Sequence, residues 1–427
     1  MINRLQRIQP PVFPIEKVII PEAKSYKLSN GVQVYTIEAG TEEIMRLEFI
    51  FRAGQVREPI PLLATTCNTM LSEGSVNYSS EELNRLLDYY GVFLNQSAEK
   101  DSAGIVLFFP NKHIQKVLEL SEEILFHPVF PEPELTSLMK KRLRWYLVNR
   151  EKVQNLAIDQ FFESLFGKTH PYGRQISETD FENITPALLS DFHTKYYIPE
   201  NMVVIISGKI HKMTAELLNS YFGNISSGSM KTEESVGIFK SEKLKKVHIS
   251  KPGMVQTAIR IGSTTINKRH PDYPGLKILD SVLGGYFGSR LMKNIREEKG
   301  YTYGISSYLS SLDLSGYKVI STEVGSKNCK KTIDEIYKEI RLLQNVYVKE
   351  NELAVVRNYM SGEMLRMFDG PFALAESFRS AWEFGLDNSY YYRLAEKIKT
   401  IDADEIIELA RTYYNIDELY EITVGSE

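Results

Sequence analysis

Apolar residues along the 427-residue chain fall into short alternating runs and helically spaced runs, separated by glycine, proline and asparagine. Residues 32–37 follow the turn dipeptide Asn30-Gly31 and read as a strand. Residues 45–51 alternate, with Met45, Leu47, Phe49 and Phe51 on one face, and the two strands are expected to form a hairpin-like pair. Helical spacing marks 61–71 and 80–90; the second has Ser79 or Ser80 as cap, Glu81 and Glu82 in its first turn and Gly91 as its stop. Residues 91–97 and 104–109 are expected to pair antiparallel. Helices follow at 111–126, 134–148, 155–166 and 186–196, and the apolar run 202–206 closes the unit as a buried strand.

Residues 223–243 are rich in Gly, Ser, Lys and Glu and read as a flexible crossing. The pattern then returns. Strands are expected at 255–261, 303–309, 317–324 and 419–424, with helices at 272–283, 289–298, 333–343, 350–367, 372–382 and from about 403, and a break at Gly284-Gly285. Phe192-His193-Thr194-Lys195-Tyr196-Tyr197 before the first closing strand resembles Ala410-Arg411-Thr412-Tyr413-Tyr414 before the second. The shared order and the period of about 210 residues point to internal duplication. The expected fold is α+β: two homologous domains, 1–222 and 244–427, joined by the linker 223–243, each an antiparallel or mixed sheet with helices packed mainly on one face.

Composition narrows the function. Hydrophobic residues at 43% and charged residues at 25% describe a folded globular chain. A net charge of -4 without a basic tract argues against nucleic acid as partner. Cys67 and Cys329 are too few for a disulfide scaffold, and a reducing compartment is the default. Pro10, Pro11 and Pro14 interrupt the start where a signal peptide would be apolar, and no run is long enough to span a bilayer. A cytoplasmic location and no membrane span are therefore expected.

The chemistry-bearing stretch runs from Leu283 to Tyr303. Gly284 and Gly285 allow a close backbone approach or a positive φ. Gly300 ends the helix that carries Arg296, so Tyr303 would begin a strand near that helix end. An arginine fork can hold a carboxylate or carbonyl, and a tyrosine hydroxyl can donate to an oxygen gaining charge. The plainer reading of these residues is a helix–strand corner with Arg296 paired to a neighbouring glutamate.

The run Leu283-Gly284-Gly285-Tyr286-Phe287-Gly288-Ser289-Arg290-Leu291, continuing through Arg296-Glu297-Glu298-Lys299-Gly300 to Tyr303, closely resembles the second-domain signature of the insulinase-like, or mitochondrial-processing-peptidase-like, zinc metallopeptidases. Met70-Leu71-Ser72-Glu73-Gly74-Ser75 and His170-Pro171-Tyr172-Gly173 extend the likeness over nearly the whole chain. The resemblance implies structural roles for Gly284, Gly285, Ser289, Arg290 and Gly300, and substrate binding and transition-state stabilisation by Arg296 and Tyr303 at a zinc site in a facing domain. It also implies that Asn95 and Ser97, in the run 94–97, lie on a substrate-binding edge strand.

Active members of that family carry H-x-x-E-H just before the Met-Leu run. Here those positions are Thr65, Asn68 and Thr69, which supply neither zinc ligands nor a general base. The helix expected to provide a distal glutamate has no acid from 135 to 150 and is basic and aromatic around Arg144 and Trp145, with Glu151 just past its end. No two of the seven histidines lie within four residues of each other. The chain is thus expected to bind no metal and no cofactor of its own. By the resemblance it pairs with a zinc-bearing homologous subunit, as a non-catalytic subunit of a heterodimeric peptidase acting on peptides; in isolation a homodimer is allowed. An inert binding or scaffold protein of the same fold, and a stand-alone hydrolase with another site, are the rival readings.

Overall fold

The structure, a computed structural model, describes residues 19–226 and 245–426. The first half runs β1 (Lys24–Lys27), β2 (Gln33–Glu38), β3 (Ile44–Phe51), α1 (Leu63–Met70), α2 (Ser80–Tyr89), β4 (Phe93–Ala98) and β5 (Ala103–Pro110). It continues with α3 (Ile114–Phe126), α4 (Glu132–Asn149), α5 (Val153–Phe166), α6 (Pro186–Tyr196), β6 (Met202–Gly208) and α7 (Thr214–Phe222). These strands make a six-stranded sheet in the order β1-β2-β6-β3-β5-β4. The expected hairpin between 32–37 and 45–51 is therefore not formed. β6 lies between the two strands, parallel to β2 and antiparallel to β3. The physical reason is burial: Val204, Ile205 and Ile206 are all enclosed, so this strand needs cover on both faces and takes the sheet interior.

The second half runs β7 (Lys246–Ser250), β8 (Gln256–Thr265), α8 (Tyr273–Asp280), β9 (Ile305–Ser311) and β10 (Gly316–Gly325). Then come α9 (Cys329–Asn345), α10 (Glu350–Arg366), α11 (Gly370–Trp382), α12 (Ser389–Thr400), α13 (Ala403–Tyr413) and β11 (Tyr420–Gly425). Between α8 and β9 the chain forms wide π-helical turns, Ser281–Gly285 and Met292–Glu298, where ordinary helix was expected. The five-stranded sheet has the order β7-β11-β8-β10-β9, with β11 parallel to β7 and antiparallel to β8. Leaving out β1, the two sheets match strand for strand, which is the topological mark of duplication. The short strands β1 and β7 and the helices α7 and α12 were not anticipated.

One face of the first sheet packs under its own helices, where Met45, Leu47, Phe49 and Phe51 meet Leu63, Met70 and Val117. The other face is covered by α11 of the second half. Ile37, Ile50 and Ile205 join Leu374 and Ala375, and the Tyr35 ring lies 4.9 Å from Phe378 and 6.1 Å from Trp382. The exchange is reciprocal: α5 of the first half lays Val153, Ala157, Phe161 and Leu165 against Ala258, Val319, Ile422 and Val424 of the second sheet. The Val, Leu, Ile and Phe side chains among these contribute roughly 1.5–3 kcal/mol each when fully buried, so the halves are held by swapped helices rather than by a tether alone. Of the expected linker, residues 227–243 lie outside the described residues; the preceding part is tied to the first half by Ser29 Oγ donating to Gly223 O (2.9 Å) and Asn30 Nδ2 donating to Ile225 O (3.3 Å).

Charge reinforces the seam. Glu48 on β3, only 1% exposed, accepts from Arg379 Nη1 of α11 (2.5 Å) and pairs with Arg46 (2.8 Å). Arg379 also reaches Glu383 (3.0 Å) and Ser102 (3.1 Å).

Candidate functional site

α1 begins at an unusual point, with Leu62 in the left-handed region at φ 70°. No N-cap side chain serves it. Instead Glu58 Oε2 accepts from Ala64 N–H (2.9 Å), while Arg174 holds the other oxygen (3.3 Å). Burial pushes the Glu58 carboxyl up to about 7, although the Ala64 N–H and Arg174 oppose the shift.

Thr65 and Thr69 lie one turn apart on the α1 face that looks toward α4. Their hydroxyls bond back to their own helix, Thr65 Oγ1 to Leu62 O (3.1 Å) and Thr69 Oγ1 to Thr65 O (2.9 Å). From α4, Arg142 reaches across to them. Its Nη1 donates to Thr66 Oγ1 (2.8 Å), and its Nη2 donates to Thr69 Oγ1 (2.8 Å) and Thr65 O (3.3 Å). All three acceptors are neutral. Among the described residues Arg142 has no carboxylate within ion-pair distance, and burial lowers its proton affinity, yet a guanidinium stays charged at neutral pH.

Asn68 turns the opposite way. It is 1% exposed, and its Nδ2 donates to Gly104 O (3.1 Å) and Tyr197 Oη (3.1 Å), which fastens α1 to β5 and to the chain before β6. The second half repeats this joint: Asp280 on α8 accepts from Tyr414 Oη (3.1 Å) and Ser307 Oγ. Tyr197 and Tyr414 are the second members of the two matched tyrosine pairs.

A zinc ion does not fit the first-half site. Two threonines that bond to their own helix, an amide turned into the sheet and a fixed guanidinium offer it no donor set. Among the described residues no three His, Cys, Asp or Glu side chains come together to hold a metal. The acids of α4, Glu132 and Glu134, sit in its first turn, about two turns before Arg142. His170 accepts from Tyr172 N–H (3.0 Å) inside its loop, and His193 contacts Leu125 O (2.7 Å); both are bound into the structure.

Beside α1 a cavity of about 400 Å³ is lined by Thr65, Glu58, Lys100, Trp145, Asn149 and Arg174 among others. β4, where Asn95 and Ser97 lie, is the last strand of its sheet, so one backbone edge has no strand beside it among the described residues. Successive side chains alternate. Gln96 points toward α1, donating to Asn68 O (2.6 Å), while Asn95 and Ser97 face a cavity of about 330 Å³ shared with Arg379 and Glu383.

In the second half, Gly284 is a site of close approach: an added Cβ would lie 2.7 Å from Ser307 N and Cβ. Gly285 is exposed and, like Gly284, has no positive φ, whereas Gly300 turns the chain at φ +63°. Ser289 is buried and donates its N–H to Tyr286 O (3.1 Å). Arg290 is locked in a two-pronged pair with Glu352 of α10, at 2.7 and 3.0 Å. Arg296 differs. It has no ion pair among the described residues and stands over the Phe287 ring at 4.6 Å, so the expected helix–strand corner with a neighbouring glutamate is not formed. Tyr303 is 92% exposed and lies in the loop before β9, whose first residue is Ile305, not within the strand. Gly300 N–H donates to Arg296 O (3.2 Å) and Tyr301 N–H to Ile295 O (3.0 Å), which fixes the turn between Arg296 and Tyr303. No hydrogen bond joins the two side chains themselves.

Sequence reasoning missed Arg142. Its signal was the basic character of α4 where an acid was expected, but the residue that reaches α1 lies two positions before the Arg144 that stood out. The partner of Asn68 was foreshadowed by the tyrosine-pair match, though not its hydrogen bond.

The family profile described as "Peptidase M16 inactive domain" matches residues 183–360. An "Uncharacterized zinc protease YmxG" of Bacillus subtilis (strain 168) is 23% identical over 350 residues, 80% of this chain and 83% of that protein. A "Probable inactive metalloprotease YmfF" of the same organism is 22% identical over 281 residues, 62% of this chain and 63% of that protein. The crystal structure of a peptidase M16 inactive domain from Pseudomonas fluorescens superposes with a TM-score of 0.84 at 22% identity, covering 95% of this chain and 98% of that one. With the duplicated sheets and the 283–303 signature, these matches support an insulinase-like, M16-type member of the peptidase family.

Proposed function

We propose that this chain is the zinc-less subunit of a two-chain peptidase, divided near 1–222 and 244–427, which lends Arg296 and Tyr303 to the active site of a zinc-bearing homologue. The observation that carries the reading is the contrast between the two halves. The Thr65 and Thr69 hydroxyls and the Asn68 amide N–H groups are engaged in internal hydrogen bonds, whereas among the described residues Arg296 has no carboxylate partner and Tyr303 projects 92% exposed from a turn fixed by backbone bonds. A half-buried arginine and an exposed tyrosine at the two ends of a fixed turn suit recognition of a peptide carbonyl and donation to the oxygen that gains charge when water adds to it. Zinc and its bound water would belong to the partner; this chain contributes only binding and stabilisation. The match to a relative named as an inactive metalloprotease supports the same direction.

The test is reconstitution. The pure chain should cleave no peptide, and adding the zinc-bearing homologue should create chelator-sensitive cleavage of an unfolded peptide. Arg296→Ala and Tyr303→Phe should each lower kcat/KM of the mixture by about 10- to 1000-fold while leaving co-elution of the two chains unchanged. Robust chelator-sensitive cleavage by the chain alone would sink the proposal. Full activity of both variants would instead make it a binding scaffold.

A further inference from the structure

The seam between the halves holds a cavity of about 460 Å³, within the range of small-molecule sites. The β4–β5 turn and α5 wall it from the first half, and the β9–β10 turn and the end of α11 wall it from the second. The two turns meet directly, with Asp313 N–H donating to Asp101 Oδ2 (2.9 Å). The apolar walls are Val56, Phe162, Leu312, Tyr317, Trp382 and Phe384, and the Phe162 and Tyr317 rings stand edge to face at 5.2 Å.

The charges around this cavity balance except at one point. Arg46 and Arg379 match Glu48 and Glu383, and Asp313 pairs with Arg269. Asp101 lies beside Lys100 and accepts from Tyr172 Oη. Arg57 is engaged within the protein, and Arg52 and Glu99 are both exposed to water. Lys268, in the loop after β8, is left over. Its Nζ donates to Ser380 O (3.0 Å) and Ser380 Oγ in the last turn of α11, and it stands over the Phe384 ring at 5.2 Å. A lysine at a helix C-terminus ordinarily does this much. An ammonium has three N–H groups, however, and among the described residues Lys268 has no carboxylate within ion-pair distance. Burial brings its pKa down to about 8, with Lys277 adding to the fall and Glu383 opposing it. The cavity therefore joins ring-lined walls to a half-buried ammonium that lacks a counter-ion.

We propose that the seam cavity binds a small amphipathic carboxylate, with its anionic end on Lys268 and its apolar body between Phe162, Tyr317, Trp382 and Phe384. Such a ligand supplies the missing counter-ion and covers the rings in one step. It touches both halves at once, so it favours the arrangement in which they meet. The site makes no use of Arg296 or Tyr303 and does not depend on the role proposed for them.

The experiment uses the whole chain and needs no partner. The sequence has two tryptophans, so Trp145→Phe leaves Trp382 as the one reporter, in the wall of the cavity. The probes are ω-phenylhexanoate, its primary amide and ω-phenylhexylamine, each titrated by Trp382 fluorescence. The acid should bind about tenfold or more tighter than the amide, and the amine should bind more weakly than the acid. Lys268→Met, which keeps an apolar stem of similar length, should bring the acid down to the level of the amide and leave the amide unchanged. Equal affinity for acid and amide, tighter binding of the amine, or no binding of the acid at about 1 mM would each overturn the proposal. So would a preference for the acid that survives in folded Lys268→Met. The comparison of the three probes on the Lys268-bearing chain decides the question even if that variant folds poorly.

Discussion

Histidines at positions 65 and 69 should fail to make a metal site while Arg142 remains, and should succeed once Arg142 becomes glutamate. Thr65 and Thr69 are partly exposed and one turn apart, so the pair Thr65→His and Thr69→His has room and the spacing of a two-histidine set. The obstacle is electrostatic. A divalent ion held by those rings would sit roughly 4 Å from the guanidinium that now touches Thr69, and at an effective dielectric of about 20 the repulsion is about 8 kcal/mol. Structural zinc in small peptides releases about 10–16 kcal/mol, so the remainder corresponds to a Kd no tighter than about micromolar. Arg142→Glu reverses the sign of that interaction and adds an oxygen ligand. Asn68 is left in place throughout, because its bonds to Gly104 and Tyr197 fasten α1 to the sheet. The assay is zinc content after dialysis, together with Tm in zinc and in chelator. The double variant should retain no stoichiometric zinc. The triple variant should retain about one ion per chain and melt higher with zinc than with chelator. Sub-micromolar binding by the double variant, or none by a folded triple variant, would show that Arg142 is not what closes the site.

Glu58→Gln should remove a pH dependence of stability. Because the folded carboxyl holds its proton up to about 7 rather than 4.5, the folded state binds more protons in that window and loses stability as pH rises through it, by up to about 3 kcal/mol. Urea unfolding at several pH values should show that decline in the unaltered chain and a flatter profile in the variant, whose amide oxygen still accepts from Ala64 N–H. Arg379→Met should destabilise by about 3 kcal/mol by leaving the buried Glu48 with Arg46 alone. Adding Glu48→Gln should recover part of that loss, and a single-variant loss below about 1 kcal/mol in denaturant melts would mean the seam does not depend on this pair.

Local signals in the sequence marked most elements, because each rests on short-range chemistry. Ser79 does form a capping box with Glu82, Gly91 does stop α2 at φ +65°, and Pro186 does open α6. What stayed hidden was long-range. Nothing near residues 32–51 announces that β6, more than 150 residues later, will part those strands. The burial of Arg46 and Glu48 follows only from α11 arriving from the other half; alternation alone marks them as solvent-facing. α12 buries Tyr390, Tyr391, Leu394 and Ile398, a face whose tyrosines blur an apolar stripe. In the candidate site, the absence of ligands at 65, 68 and 69 was readable by inspection, while the residue that fills the gap could be found only by knowing where α4 crosses α1.

The duplicated joint explains how the first half could part with its chemistry and keep its shape. In both halves the helix after the sheet's third strand in chain order, or its counterpart, is pinned by one buried polar side chain to the tyrosine before the closing strand, Asn68 to Tyr197 and Asp280 to Tyr414. Asp280 does this as a carboxyl whose pKa burial pushes up to about 6, with Lys277 and Lys318 nearby to offset its charge. Asn68 does it as a neutral amide, which donates where Asp280 accepts and carries no charge to desolvate. An amide at that position is thus a mechanical solution that a zinc enzyme cannot adopt, since it gives up the base. Arg142 is its counterpart on the outer face of α1, securing the helix to α4 where an ion would otherwise draw the elements together. All three positions thus take part in holding α1. Among the described residues Arg296 has no ion pair and Tyr303 is exposed, a contrast that supports the role proposed for the two in the second half.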